Sequence, residues 1–65
     1  MPVITIDIGA VGSQEKKKAL VESVTAAASS ATQIPADKFI VLINEFERDN
    51  IGVGGKLLSE ILKAN

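Results

Sequence analysis

The segment 39–46, Phe-Ile-Val-Leu-Ile-Asn-Glu-Phe, constrains the fold more than any other part of the chain. Its middle is apolar at consecutive positions, so as a strand it shows hydrophobic side chains on both faces and needs cover on both. The chain has 65 residues, which make one domain, 1–65. A domain this short buries only about 60% of the surface its unfolded chain exposes. Small scaffolds make up the deficit with disulfides, a metal or partner subunits. There is no Cys and no His, so disulfides are excluded and no thiolate or imidazole is available for zinc. Oligomerisation is left, and a hydrophobic content of 46% agrees with apolar faces that other subunits cover.

The remaining pattern supplies one covering layer. Residues 3–8, Val-Ile-Thr-Ile-Asp-Ile, alternate with period two, placing Ile4, Ile6 and Ile8 on one face of a strand. Gly9 and Gly12 break it. Ser13 is an N-cap residue, Glu15 puts negative charge in a first helical turn, and Leu20, Val24, Ala27, Ala28 and Ala31 recur at helical spacing. The helix is predicted to run to about Thr32 and to be stopped by Pro35. Strand, helix and strand form a βαβ unit, which requires a parallel pair with a right-handed crossover. Ile51-Gly-Val-Gly-Gly55 reads as a glycine-rich hairpin, and 56–63 returns to helical spacing. The fold class is α+β, a single βαβ unit with a C-terminal hairpin and short helix, assembling through shared sheets.

Composition excludes several functions. With a net charge of -1 and only Phe39 and Phe46 as aromatics, nucleic acid is not an expected partner. Lys16, Lys17 and Lys18 form the one basic run and read as a solvated helix face. No apolar stretch is long enough to span a membrane, and the N-terminal residues lack the pattern of a signal peptide, so a cytoplasmic protein is expected. Gly52-Val53-Gly54-Gly55 has neither the spacing nor the Lys of a phosphate loop, and no cofactor is expected. Asp7, Asn44 and Glu45 sit on or near strands, where sheet-edge or inter-subunit hydrogen bonds explain them better than paired acid–base work.

The chemically sharper feature is the Met1-Pro2 start. An initiator Met before a small residue is commonly trimmed, which would leave Pro2 with a free secondary amine. Such an amine titrates ordinarily near about 7.7–8.0. Desolvation or a nearby cation disfavours its ammonium form, so in an apolar pocket it becomes a neutral base near pH 7. The plain alternative is a proline that starts an edge strand, where its missing N–H costs little. With Met1 retained, the Pro2 nitrogen is a tertiary amide and the base is blocked.

Pro2-Val-Ile-Thr-Ile-Asp-Ile8, the Ser-capped helix, the Pro before a hydrophobic strand and the Asp49-Asn-Ile-Gly-Val-Gly-Gly55 tail together resemble the 4-oxalocrotonate tautomerase family over nearly the whole chain. The branch most similar is that of the 2-hydroxymuconate tautomerases. The resemblance implies a tautomerase/MIF-like fold and a homohexamer built as a trimer of dimers, with pockets at subunit boundaries. It also implies a cofactor-free isomerase in which Pro2 moves a proton between atoms of an unsaturated 2-hydroxy or 2-oxo acid such as 2-hydroxymuconate.

Three positions depart from that family. Gly12 and Ile40 stand where two substrate-binding arginines are usual, and Ile51 stands where a pocket Phe is common. Arginine gives permanently charged, bidentate recognition of carboxylates, so its loss weakens anion binding. Lys38, two residues before Ile40, and Arg48, the single arginine, are the candidate replacements, with a solvated surface charge as the alternative for each. The Gly9 N–H, at the end of the first strand, is a further candidate donor to a substrate oxygen. Two other readings stay open: a Pro2-dependent hydratase or dehalogenase relative, and a non-catalytic assembly module.

Overall fold

The computed structural model describes residues 1–63. Strand β1 (Val3–Gly9) leads into helix α1 (Gln14–Thr32), and β2 (Ile40–Phe46) follows a 3-10 turn at Ala36–Lys38. A second 3-10 turn, Arg48–Asn50, precedes β3 (Gly52–Val53), β4 (Lys56–Leu57) and α2 (Leu58–Lys63). β1 and β2 are parallel, paired from Val3 opposite Ile40 to Gly9 opposite Phe46. This is the α+β, βαβ arrangement expected from the pattern. The last two residues, Ala64 and Asn65, lie outside the described residues.

Period two divides the sheet. Ile4, Ile6 and Ile8 are half-buried and pair with Val41, Ile43 and Glu45 on the side that α1 covers. The opposite face shows Val3, Thr5, Asp7, Ile40, Leu42, Asn44 and Phe46, all exposed. Asn44 Nδ2 donates to Asp7 Oδ1 at 2.9 Å across this face, within one chain rather than between subunits.

Helix α1 starts as expected: Ser13 accepts from the Lys16 N–H at 3.2 Å. It ends at Thr32, as expected, but Pro35 is not what stops it. The turn ends at Gln33, in the left-handed region (φ 63), whose N–H bonds Ser29 O at 2.8 Å, two residues before Pro35. The half-buried stripe is Lys17, Leu20, Val21, Val24, Thr25, Ala28 and Ser29, while Ala27 and Ala31 are exposed. Lys17 therefore is not part of a solvated face. It opens the inward stripe and forms an ion pair with Glu45, whose carboxylate also accepts the Val11 N–H at 3.0 Å. This clamp ties the β1–α1 loop to β2.

The glycine tail closes a hairpin. Gly54 and Gly55 both have positive φ (61 and 85), the type I′ geometry that two-residue loops prefer. Lys56 and Leu57 pair back onto Gly52 and Val53, so the final helix starts at Leu58 rather than Lys56.

No described residue of the protomer is buried. Its radius of gyration is 15.4 Å, against roughly 11 Å for a compact domain of this length. It exposes 5056 Å², where a folded monomer of 6.8 kDa exposes roughly 4,000 Å². The excess of about 1,000 Å² is in the range of a stable protein–protein interface. Association that covers this surface would be coupled to folding, and the melting temperature is then expected to rise with protein concentration in a dilution series. The Lys17 hydrogen bond, then the Val11 N–H, hold the Glu45 carboxyl below its ordinary 4.5. Such a group stabilises the fold above pH 4.5 and loses that contribution as pH falls through its lowered pKa. Glu45→Gln is accordingly expected to melt below wild type at pH 7, with the gap closing in acid melts.

Candidate active site

Pro2 sits one residue before β1 and is half-buried. Its carbonyl accepts the Ile40 N–H at 3.0 Å, so the first residue of β2 fixes the proline backbone. This tether uses the carbonyl and makes no demand on the nitrogen. Met1 is 91% exposed and outside the strand, so its removal costs little packing.

The segment between α1 and β2 forms the opposite wall. The Ser29 hydroxyl donates to Ile34 O at 2.6 Å, and Lys38 N–H and Phe39 N–H bond Pro35 O and Ala36 O at 3.0 and 3.2 Å. The turn that results holds Ile34, Asp37, Lys38, Phe39 and Ile40 against Met1 and Pro2 around a pocket of about 370 Å³. Ile34 and Phe39 are half-buried, so the wall near the proline is apolar with one ion of each sign at its rim.

The structure brings Pro2 and Lys38 together, though not for the reason expected. Lys38 lies in the 3-10 turn, outside β2, so strand alternation does not place it beside Ile40. Gly9, Arg48 and Ile51 lie at or beyond the other end of the sheet, since Gly9 pairs with Phe46. The seven residues of β1 put that end about 23 Å from Pro2 within one protomer. Asp37, Ile34 and Phe39 were not among the sequence candidates; the turn that follows Pro35 gathers them. Gly12 has φ 87, so an L side chain there strains the loop, and a simple Arg at this position does not fit its backbone. Among the described residues no group of three or more His, Cys, Asp or Glu is placed to hold a metal ion, and no helix is long and apolar enough to cross a membrane.

The protein is thus a small α+β chain, a βαβ unit with no buried residue among those described and with Pro2 at a largely apolar pocket. Residues 2–61 match the family described as Tautomerase enzyme. A probable tautomerase from Bacillus cereus is 42% identical over 60 residues, 92% of this chain and 98% of its own. A 2-hydroxymuconate tautomerase from Bacillus subtilis is 36% identical over 61 residues, 94% of this chain and 98% of that protein. The solved heterohexameric 4-oxalocrotonate tautomerase from Chloroflexus aurantiacus superposes with a TM-score of 0.85 at 28% identity, covering 94% of this chain and 98% of that one. The chain belongs to the tautomerase family and is an isomerase.

Proposed function

We propose that the protein is a cofactor-free keto–enol tautomerase in which Pro2, freed by removal of Met1, is the general base. The observation that carries this reading is the tether of Pro2 through its carbonyl at an apolar pocket shared with Lys38. Its substrate is an unsaturated 2-hydroxy or 2-oxo acid, the class to which the substrate named for the Bacillus subtilis relative, 2-hydroxymuconate, belongs.

The chemistry follows from the groups present. Ile34 and Phe39 desolvate the amine and favour its neutral form. The neutral amine accepts the enol hydroxyl proton while the Lys38 ammonium holds the substrate carboxylate. As the carbonyl forms, the Pro2 ammonium returns the proton to a carbon of the conjugated chain. The product is the 2-oxo isomer, and the amine is regenerated.

The exposed sheet face and the excess surface support assembly, which we read as a homohexamer arranged as a trimer of dimers. In it a neighbouring subunit carries Gly9, Arg48 and Ile51 toward the Pro2 pocket, a distance that one protomer cannot close.

Intact mass and rates on 2-hydroxymuconate test the proposal. The mature protein is expected to lack Met1. Pro2→Ala is expected to lower kcat/KM by about 100-fold or more with the oligomer intact. The wild-type rate is expected to rise with pH through one ionisation, at or below the ordinary amine value of about 7.7–8.0. Full activity in Pro2→Ala would defeat the assignment. Lys38→Met is expected to raise KM about fivefold to tenfold with a smaller change in kcat, as loss of a partly solvated charge contact requires.

A further inference from the structure

Asp37 has no role in the proton transfer described above, yet it lines the Pro2 pocket beside Lys38. We infer that the Asp37–Lys38 pair makes this pocket selective for a monocarboxylate enol acid over a dicarboxylate one. The inference rests on the Pro2 tautomerase reading and refines its substrate class.

The argument is one of charge matching. Lys38 is the one cationic side chain among the residues lining the pocket, and Asp37 is the one carboxylate. With Pro2 neutral as a base, the wall carries no net charge. A neighbouring subunit that delivered Arg48 would raise it to a single positive charge. With Lys38 alone, one substrate carboxylate finds a partner and a second is unmatched; with Arg48 added, the net single positive charge still falls one short of a dianion. Asp37 and Lys38 are adjacent in a 3-10 turn whose backbone bonds itself, from Lys38 N–H to Pro35 O and from Phe39 N–H to Ala36 O. Both residues line the same pocket, so each carboxylate a substrate brings adds a like-charge interaction with Asp37, and a dianion incurs it twice. The remaining wall, Ile34, Phe39 and Ile40, offers apolar contact to the carbon chain and no hydrogen-bonding side chain to a distal carboxylate.

The test uses two dienols that differ by one carboxylate: 2-hydroxy-2,4-pentadienoate, a monoanion, and 2-hydroxymuconate, a dianion. Ratios of kcat/KM for the pair are measured at low and high salt for wild type, Asp37→Asn, Asp37→Glu and Pro2→Ala. Wild type is expected to favour the monoanion. Asp37→Asn is expected to shift the ratio toward the dianion by about fivefold, the effect of one solvated charge contact, while Asp37→Glu keeps the wild-type ratio. Added salt is expected to narrow the wild-type ratio, because it screens charges at a solvent-facing rim. A dianion preference in wild type, or a ratio that Asp37→Asn leaves unchanged, overturns the selectivity while the loss of activity in Pro2→Ala still upholds the base. Turnover of neither acid, or equal turnover by wild type and Pro2→Ala, overturns the base and the selectivity with it.

Discussion

The parallel ladder between β1 and β2 is the interaction on which the rest of the protomer depends. It runs from the Val3–Ile40 pair to the Gly9–Phe46 pair, and α1 covers only one of its faces. A parallel sheet is stable when both faces are covered. Among the described residues there is no second layer to give, since β3 pairs with β4 and α2 packs on β4 and the Arg48–Asn50 turn. The protomer is accordingly a half-structure, with its apolar surface divided between an inner contact with α1 and an outer face that awaits another subunit.

The same ladder explains the position of the site. Pro2 stands at the head of β1, where the Ile40 N–H extends the pairing by one carbonyl. The turn that returns the chain from α1 to β2 must end at that same head, so Ile34 to Phe39 are delivered to the proline by topology alone. The base proposed above is thus placed at the end of a sheet rather than on a loop, and a site built on a sheet holds a reacting atom more firmly than one built on a loop.

Much of this was legible in the residues, and the misses have physical causes. Ile4, Ile6 and Ile8 read correctly because one side of their strand is covered and the other is not. Ser13 read correctly as a cap because its hydroxyl acts within its own turn. The helix stop was assigned to Pro35, but Gln33 ends it by adopting a left-handed conformation, for which a glutamine carries no sequence signal. Lys17 reads as solvent-facing because only the fold shows Glu45 opposite it, 28 positions away in sequence and on the covered face. Pro2 and Lys38 were legible as candidates. Asp37 was not, because its relevance comes from a 3-10 turn that no periodicity marks. Ile51 came from the family resemblance, Arg48 from being the single arginine and Gly9 from its place at the end of the first strand, and a single protomer cannot bring them to the proline.

The Asp7–Asn44 pair lies on the face that assembly must cover, amid Leu42, Phe46 and Val3. An uninterrupted apolar sheet face accepts any greasy surface, including a slipped copy of itself or an aggregate. One carboxylate per chain changes that, because a layer laid over it must supply a hydrogen-bond donor, a cation or a water at that spot. Asn44 donates to Asp7 within the chain, so the pair keeps that bond in any stacking, and what an overlaid layer must satisfy is the remaining acceptor capacity of the carboxylate. In the assembly proposed above, the pair would favour a registration that supplies such a donor over a slipped one, trading a little adhesive strength for fidelity.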